Sequence, residues 1–495
     1  MNRSLVWFRR DLRLHDHTAL ARASASTPPS QGHLLAVYLV SPKEWKEHDE
    51  AAIKVDFWQR SLPILRKDLA SLRIPLIIRT LDQAKGQHAQ TILEVCNKYQ
   101  ISSVHWNREY EMDALSRDEG VSTSLKDHGY QVFQHHDQCI IPPGQVLTKA
   151  GTTSKTYSGF LKSWYVTLAH NPVFVKEARF PRANDSSTTK ELHEAFNDGE
   201  MQESLKDFPL PRDVRDRSRQ NFPAGEEAAE ERLQKFLQDQ VGRYEEDRSS
   251  LALQVTSSLS PYLHSGVISA RACLRAVKDA NGGRVESGMA GAVNWIMEMV
   301  WRDFFRHILV AYPKISQGKP FKDEYEHFPW TSDPEERKFR AWAQGQTGYP
   351  IVDACMRCLN QTGWLHNRGR MVTASFLCKD LLLDWHKGER YFMQHLIDGD
   401  LASNNGNWQW VAASGTDSLP FFRVLNPVRQ SKRFDPEGEF IREWVEELRD
   451  CPGEEIHQPS SDTSRRLGYP EPMTDHATAR AQALRAFQQM RKSAS

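Results

Sequence analysis

The stretch LVWF at residues 5–8 is a short apolar run near the start of the chain, and it begins the series that decides the fold class. Further short apolar runs follow at residues 34–40, 75–78 and 103–106 and around Val132, with longer amphipathic segments between them. This alternation is typical of βαβ units, which build a parallel sheet. Residues 1–135 are therefore predicted to form an α/β domain with a parallel, Rossmann-like sheet.

The pattern of the sequence changes twice after residue 135. Residues 136–222 gather Pro, Ser, Asp, Thr and Gly, which predicts a long interdomain linker with some short helices. In residues 223–480 apolar residues recur at helical spacing, which predicts a helical domain. The chain is polar from Pro459 and is predicted to be mildly helical from His476 to Arg491, with residues 481–495 as a polar tail. The predicted fold class is thus α/β plus all-α, with two domains joined by a long linker.

The composition of the 495-residue chain limits the classes of protein it can be. Its formal net charge is zero, so a DNA-binding surface would have to be a local patch. No apolar run is long enough to span a bilayer, and the first strand follows Met1 too closely for a signal sequence. Cys355 and Cys358 form a C-x-x-C pair that lacks further ligands at zinc spacing. We expect a cytoplasmic protein with buried free thiols and no metal.

The segment IDGDLASNNGNWQW at residues 397–410 is the richest in polar and aromatic side chains. Asp, Asn and Gly compete with regular helix, which favours a shaped loop feeding a helix. The alternative is a capped helix start with Asp398 or Asp400 as the N-cap. Two tryptophans beside several amides indicate a planar aromatic ligand.

Two further segments combine residues that bind phosphate. TSSLSPYLHSG at residues 256–266 places hydroxyls before Pro261, which could occupy a first helical turn and leave backbone N–H groups for a phosphate. GWLHNRGRM at residues 363–371 interleaves basic and aromatic residues, as binding to a phosphate backbone with base stacking requires. Helix capping and a solvated basic face are the respective alternatives.

A helical segment at residues 294–306 carries Glu298, Trp301 and Arg302 among apolar residues. Burial of Glu298 on such a helix would require a partner for its carboxylate. Arg302, four residues on, could supply it, so a purely stabilising ion pair stays open. The sheet-forming half has no G-x-G-x-x-G, P-loop, nucleophile elbow or metal motif. The residues alone thus predict a two-domain protein that binds an aromatic, phosphorylated ligand, with DNA as a candidate partner.

These segments, in this order, resemble the cryptochrome/photolyase family from WFRRDLR at residues 7–13 to about residue 452. Residues 367–371 and 397–410 are most similar to microbial class I photolyases acting on cyclobutane pyrimidine dimers. The resemblance implies an N-terminal antenna domain and a helical domain that binds FAD. It also implies light-driven repair, in which excited reduced FAD donates an electron to a flipped-out dimer, the ring splits and the electron returns. The implied enzyme is a carbon–carbon lyase.

The resemblance assigns roles to individual residues of this chain. FAD, in its reduced anionic hydroquinone form favoured by Asn404 at flavin N5, would be held by Tyr244, Thr256, Ser257, Ser258, Leu259, Ser260, Asp398, Gly399, Asp400 and Asn404. The catalytic residues would be Glu298, Trp301, Asn367, Met371 and Trp410. DNA would be contacted by Arg248, Glu298, Trp301, Arg302, Asn367, Arg368, Arg370 and Gln430. Electron transfer to oxidised flavin would use Trp330, Trp385 and Trp408.

The antenna chromophore and the branch of the family are less sharply defined. His48 matches a folate contact and Asp113 is a second candidate, whereas Ala114 and Gln317 depart from the pattern of methenyltetrahydrofolate-binding relatives. A deazaflavin or an empty site therefore stays open. A cryptochrome without repair activity, a (6-4) photolyase and a dark flavin oxidoreductase are the competing interpretations. We expect a monomer that binds DNA containing cyclobutane pyrimidine dimers and no membrane.

Overall fold

The computed structural model describes residues 2–27, 32–82, 86–185, 190–199, 206–417 and 423–493. The chain divides into two compact units, each discontinuous in sequence. Unit one comprises Met1–Pro211, Arg219–Gly242 and Ser257–Ala311, and unit two comprises Arg212–Ser218, Arg243–Thr256 and Tyr312–Ser495. The predicted fold class is confirmed, while the predicted domain boundaries at residues 135, 222 and 480 stay predictions.

Unit one contains a five-stranded sheet in the order β3-β2-β1-β4-β5. All its ladders are parallel, as predicted. The strands are β1 (Asn2–Phe8), β2 (Gly32–Val40), β3 (Leu76–Thr80), β4 (Ile101–Asn107) and β5 (Gln131–His135). The strand order reverses between β1 and β4, and in open α/β sheets this switch point lies at the carboxyl ends of the strands where ligands bind.

The helices account for most of the remaining regular structure. In the first half they are α1 (Thr18–Ser26), α2 (Pro42–Glu47), α3 (Ala52–Ser71), α4 (Gln87–Lys98), α5 (Met112–Asp127), α6 (Tyr157–His170), α7 (Lys190–Ala195), α8 (Arg212–Asn221), α9 (Glu226–Asp239), α10 (Tyr244–Asp247), α11 (Ser260–His264) and α12 (Ala270–Ala280). In the second half they are α13 (Ala290–Ala311), α14 (Arg337–Ala343), α15 (Pro350–Thr362), α16 (Asn367–Ser375), α17 (Trp385–His395), α18 (Leu401–Ala412), α19 (Pro427–Phe434), α20 (Glu439–Trp444), α21 (Ser461–Leu467) and α22 (His476–Ser493). A π-helical turn spans Phe376–Asp380.

Strands β1 and β2 of unit one are buried on both faces, which is why they read as continuous apolar runs, whereas the edge strand β5 is exposed or half-buried along its length. Leu5 and Trp7 of β1 pack in a cluster with Ile92 of α4 and Val121 of α5. Val6, whose side chain points to the opposite face, is also fully buried. Burial on both faces therefore explains why the strands could be recognised from the sequence.

The core of unit two is a helical cluster that includes residues of α15, α16, α17 and α18. Local sequence signals start these helices. Pro350 and Pro427 occupy first-turn positions of α15 and α19, and the side chain of Asn426 accepts a hydrogen bond from the backbone N–H of Arg429. Among the described residues, no helix combines the length and hydropathy needed to cross a bilayer.

The mild helicity predicted from His476 to Arg491 is confirmed by α22, while the polar tail predicted at residues 481–495 stays a prediction. Helix α22 continues to Ser493, and the small or flexible side chains of Ala479, Ala483, Ala486 and Met490 are buried along one of its faces. Their spacing of three and four residues gives an apolar stripe wide enough to pack, although most of the surrounding residues are polar. The short helices expected between residues 136 and 222 are confirmed by α6, α7 and α8.

The cysteines form no disulfide, and all seven are buried in the part of the chain that the structure describes. Cys355 and Cys358 lie on α15, where burial raises the pKa of the Cys358 thiol to about 12. Both thiols are therefore protonated near neutral pH, which makes them poor nucleophiles. The prediction of buried free thiols is confirmed.

Candidate functional site

The segment at residues 397–410 forms a capped helix in unit two, so the predicted loop is wrong for most of its length. Asp400 is the N-cap of α18, and its Oδ1 accepts a hydrogen bond of 2.8 Å from the backbone N–H of Ser403. The amides do not compete with the helix because several bond to neighbours instead. Asn405 Nδ2 donates to Glu389 Oε1 at 2.8 Å, and Gln409 Nε2 donates to Asn405 Oδ1 at 2.8 Å. The alternative of a capped helix start at Asp400 is confirmed.

The amide of Asn404 has a defined orientation. Its Nδ2 donates to the backbone carbonyl of Glu389 on α17 at 2.9 Å. Because a carbonyl oxygen only accepts, the nitrogen end of the amide must face Glu389. The amide therefore presents Oδ1 in another direction, where it can accept a hydrogen bond but has no proton to give.

Asp398 is buried and paired with Arg370. Arg370 Nη2 lies 3.0 and 2.8 Å from the two carboxylate oxygens of Asp398, and Arg370 Nε donates to the carbonyl of Leu365 at 2.7 Å. The arginine compensates the cost of burying this carboxylate and holds it in one orientation. Arg370 thus positions Asp398, and its predicted contact with DNA stays a prediction.

The basic segment at residues 363–371 leads into α16 of unit two. His366 caps this helix, since its Nδ1 accepts the backbone N–H of Arg368 at 3.0 Å and its Nε2 donates to the carbonyl of Arg248 at 3.0 Å. Burial lowers the pKa of His366 to about 4, which suits this neutral tautomer. The capping histidine therefore ties α16 to the segment that carries Arg248.

Several predicted DNA-binding and catalytic residues are grouped around this cap. Arg368 Nε donates to Ser249 Oγ at 3.2 Å, and its Nη1 lies 3.6 Å from Met371 Sδ. The guanidinium of Arg248 lies 5.8 Å from the centre of the Tyr244 ring. Asn367 is exposed and Gln430, on α19, is half-buried. Unit two thus brings together Arg248, Arg368 and Met371 and leaves Asn367 accessible.

Helix α13 of unit one carries the predicted catalytic acid and an aromatic stack. The Trp301 ring lies parallel to the ring of Tyr157, with centroids 3.6 Å apart and an interplanar angle of 4°. Tyr157 is fixed in turn by its hydroxyl, which donates to the carbonyl of Met297 at 2.8 Å. Trp301 is therefore held as a rigid, half-buried aromatic surface.

Glu298 is half-buried rather than buried, which corrects the expectation from the sequence. It lies on a side of α13 that is less covered than the side of Trp295 and Met299. The guanidinium of Arg302 donates to the carbonyl oxygens of Gln138 and Leu263, the latter at 3.3 Å. Arg302 is thus occupied in part by backbone acceptors, and Glu298 is accessible enough to contact a ligand.

The hydroxyl-rich segment at residues 256–260 precedes α11, whose first turn contains Pro261 as predicted. Thr256 ends a segment of unit two, whereas Ser257 opens a segment of unit one. Ser258 adopts a positive φ of 48°, a conformation that is uncommon for residues other than glycine and is often found at functional sites. Trp295 Nε1 donates to Ser257 Oγ at 3.1 Å. The four hydroxyl side chains are half-buried and Leu259 is buried.

Two of the three predicted electron-transfer tryptophans lie on adjacent helices of unit two. Trp385 starts α17 and Trp408 lies in α18, and each is 2% exposed. A Cβ on Gly388 would lie only 2.2 Å from the Trp408 ring, so the glycine allows this indole to lie against α17. Trp330 is half-buried, packs against the same apolar cluster and lies 4.4 Å from Phe328 between ring centroids. The three tryptophans therefore share one core.

The antenna candidates lie near each other in unit one. His48 Nε2 is 3.5 Å from Asp113 Oδ2, and their side chains are 35% and 74% exposed. Ala114, the next residue on α5, is buried. The structure therefore brings together the two residues predicted for this site, at a solvent-accessible position.

Sequence reasoning missed three residues that the structure connects to these groups. Tyr157 was part of the predicted linker, yet it stacks on Trp301. Glu389 orients Asn404 through a backbone carbonyl, which has no sequence signal. His386 follows Trp385 in sequence and stacks on its ring. Only this last neighbour could have been noticed, because adjacency in the chain is visible in the sequence.

The chain thus combines a parallel α/β unit with a helical unit that carries oriented amides, carboxylates and clustered tryptophans. A family model described as "DNA photolyase" matches residues 4–179, and one described as "FAD binding domain of DNA photolyase" matches residues 295–489. The chain belongs to the DNA photolyase family.

Similar proteins with curated names agree along almost the whole chain. The chain is 40% identical to the deoxyribodipyrimidine photo-lyase of Neurospora crassa over 97% of this chain and 80% of that protein. It is 39% identical to the Escherichia coli protein of the same name over 99% of this chain and 100% of that protein. Photolyases thus match both units.

Solved structures of the family have the same fold. A class III photolyase from Agrobacterium tumefaciens matches with a TM-score of 0.82 and 31% identity over 99% of this chain and 98% of that chain. A cryptochrome from Synechocystis matches with a TM-score of 0.83 and 29% identity over 99% of each chain. The fold is therefore common to repair enzymes and cryptochromes, and the residues must distinguish them.

Proposed function

We propose that this protein is a deoxyribodipyrimidine photo-lyase that uses light to split cyclobutane pyrimidine dimers in DNA. The observation that carries this function is the match to proteins of that name over nearly the full chain. Glu298, Trp301 and Met371, the residues expected of a repair enzyme, are half-buried and hence within reach of a ligand. This residue set favours repair over the cryptochrome alternative.

The donor set of the chain fits FAD. Hydroxyl side chains and backbone N–H groups at residues 256–260 suit a diphosphate, and Asp398, fixed by Arg370, suits ribose hydroxyls. Asn404 would accept a hydrogen bond from flavin N5 through Oδ1, and an amide there cannot supply a proton, which favours the reduced anionic form. The chemistry supplied by bound reduced FAD is light-driven donation of one electron to the dimer and its recovery after the carbon–carbon bonds have broken.

Glu298 is proposed to stabilise the charge that the dimer gains. A hydrogen bond between Glu298 and a pyrimidine carbonyl would strengthen as negative charge develops on that oxygen. Trp301, held by Tyr157 at 3.6 Å, would offer a flat surface for the dimer without losing rotamer freedom on binding. The chain would thus provide a preorganised hydrogen-bond donor and a stacking surface on one helix.

DNA binding is proposed to use basic side chains of unit two. Arg248 and Arg368, tied together through His366, would contact phosphates of the damaged strand. The dimer must leave the helix to reach the catalytic residues, and a damaged pair costs less to extrude than an intact one. A monomer is proposed as the active form, and a cytoplasmic location stays a prediction.

Trp408, Trp385 and Trp330 are proposed to carry electrons from the protein surface to oxidised flavin under light. The Trp408 ring lies against α17 at Gly388. Gly388 is about one helical turn after Trp385 on α17. Trp330 packs on the shared core and is the most exposed of the three. This order supports an electron path from the accessible Trp330 through Trp385 to the buried Trp408.

The antenna chromophore, methenyltetrahydrofolate or a deazaflavin, is proposed to lie beside His48 and Asp113. The alternative position, the crevice at the switch point, is filled by ion pairs of the chain itself. Arg10 Nε lies 2.6 Å from Glu109, and Arg117 Nη2 lies 2.6 Å from the same carboxylate. A chromophore placed there would have to separate desolvated ions, which costs several kcal/mol, on the order of a broken buried pair. The accessible His48 site requires no such displacement.

The proposed function is tested by illuminating purified protein with dimer-containing oligonucleotide in near-ultraviolet light. Light-dependent loss of the dimers with no loss in the dark is expected. Bound flavin without repair would instead favour the cryptochrome alternative. For the antenna, the absorption spectrum of His48→Ala should lose any near-ultraviolet band beyond that of flavin while keeping the flavin bands. Retention of such a band in this variant would place the chromophore elsewhere.

A further inference from the structure

His386 lies face to face with Trp385 on the first turn of α17. The ring centroids are 3.8 Å apart with an interplanar angle of 28°. Trp385 is 2% exposed, whereas 41% of the His386 side chain is exposed. The imidazole therefore covers the indole and is itself in contact with solvent, through which it can exchange a proton.

Both nitrogens of this imidazole face hydrogen-bond acceptors. Nδ1 lies 2.7 Å from Asp384 Oδ1, and Nε2 lies 2.7 Å from the carbonyl oxygen of Gly318. A carbonyl accepts only, and so does an ionised carboxylate, so the arrangement is fully satisfied when both nitrogens carry hydrogen. The geometry thus fits the imidazolium form, a cation stacked on Trp385.

The surrounding charges act in the same direction. Burial alone would lower the pKa of His386, but the hydrogen bond and negative charge of Asp384, the Gly318 carbonyl and the charge of Glu389 outweigh it and raise the pKa above the ordinary value. For Asp384, burial would raise the pKa, but the hydrogen bond and charge of His386 and the charge of Lys387 outweigh it, so the pKa of Asp384 is lowered. Asp384 therefore stays ionised over the range in which His386 titrates.

Neighbouring cations have partners of their own. Lys387, the next residue on α17, lies 3.2 Å from Glu336. Lys319, which follows Gly318 on the segment facing the imidazole, lies 3.7 Å from Glu326. Near neutral pH, the charge next to Trp385 therefore changes through the protonation of His386.

We propose that His386, held by Asp384, is a positioning residue that controls electron transfer through Trp385, allowing it when the imidazole is neutral and opposing it when the imidazole is charged. The proposal rests on the tryptophan path proposed above. When light drives oxidised flavin to take an electron from Trp408, Trp385 gives one electron to the oxidised Trp408 and regains one from Trp330, which an external thiol then reduces. No proton is consumed in these transfers between tryptophans.

The physical cause is the charge facing the indole. A cation over the face of a tryptophan is attracted to its electrons, so removing one of those electrons becomes harder. Loss of the imidazole proton leaves Asp384 uncompensated beside the oxidised indole and favours the electron's removal. Photoreduction should therefore be slow at low pH and should rise as pH passes upward through the pKa of His386.

The test measures the initial rate of flavin photoreduction against pH in holoenzyme with an external thiol. The wild type should show a rise of about fivefold, the middle of what a stacked cation contributes. His386→Arg keeps a planar cation at every pH and should stay near the low-pH rate. Asp384→Asn keeps a good N-cap for α17 but removes the carboxylate, and should move the midpoint of the rise to lower pH.

A second readout does not depend on photoreduction. The titration of His386 in dark protein, followed by NMR of labelled histidine and assigned by its loss in His386→Arg, should have a midpoint above that of an ordinary histidine. It should fall in Asp384→Asn. A rise with pH in His386→Arg equal to that of the wild type, or a midpoint below the ordinary value, would overturn the proposal. Normal photoreduction by Trp408→Phe would instead refute the tryptophan path. The NMR titration of His386 does not depend on that path, so the two failures can be told apart.

Discussion

Replacing Gly388 on α17 by alanine sets two contributions to stability against each other, the cost of a steric clash and the gain in helix propensity. The added Cβ would lie 2.2 Å from a Trp408 ring carbon and 2.6 Å from a methyl of Leu377, so the indole or the helix must move. Overpacking of this kind costs about 1–3 kcal/mol. Alanine gains about 1 kcal/mol over glycine inside a helix. The net change should therefore lie between about zero and 2 kcal/mol of lost stability, which follows from these two contributions.

Gly120 on α5 provides the matched control, because a Cβ there meets nothing within 4 Å. Gly120→Ala should raise the urea concentration at the unfolding midpoint, since it gains helix propensity without a clash. Gly388→Ala should lower it relative to that control and should also slow flavin photoreduction, because Trp408 is displaced. Equal stabilisation by both substitutions, with unchanged photoreduction, would show that Trp408 does not lie against Gly388.

Three further outcomes are expected. Glu298→Ala should lower the yield of dimer repair without releasing flavin, and Glu298→Gln, which keeps an N–H donor, should retain more repair; equal yields in both variants would exclude the hydrogen bond. Trp408→Phe should block photoreduction, and chemically reduced protein should still split dimers; photoreduction at the wild-type rate would contradict the path. Burial would raise the pKa of Asp198, but hydrogen bonds with Arg79, Tyr99 and Lys98 outweigh it and hold that pKa well below its ordinary value. Its contribution to stability is therefore present above the unfolded-state pKa and is lost as pH falls, so Asp198→Asn should cost about 1 kcal/mol at neutral pH and nothing in strong acid. Unfolding curves at several pH values check this, and a constant difference between the two proteins would count against it.

The sheet of unit one could be predicted because burial leaves a direct mark on sequence. A parallel strand covered on both faces, such as β1, reads as an uninterrupted apolar run. The helices between the strands appear in the sequence as longer amphipathic segments. Helix α22 was predicted only as a mildly helical stretch from His476 to Arg491, for the opposite reason. Its buried face consists largely of alanines, such as Ala483, which add little hydrophobicity to a segment full of charged and amide side chains.

The predicted loop before Trp408 was wrong because propensity treats amides as competitors of the local backbone. Asn405 and Gln409 instead satisfy each other, and Asn405 also bonds to Glu389 on α17, so they stabilise the helix they were expected to disrupt. Such partners are distant in sequence and leave no periodic signal. The residue types of the site were visible in the sequence, whereas the orientation of each side chain required the fold.

Helix α17 connects the elements that the proposed photochemistry requires. Its Trp385 is a proposed electron carrier, its Gly388 receives the indole of Trp408, and the carbonyl of its Glu389 orients Asn404. A shift of α17 relative to α18 would therefore alter the amide proposed to face flavin N5 as well as the electron path. Gly388→Ala should then change the flavin absorption spectrum in the dark together with photoreduction. A change confined to photoreduction would mean that α17 holds its position and the Trp408 side chain alone moves.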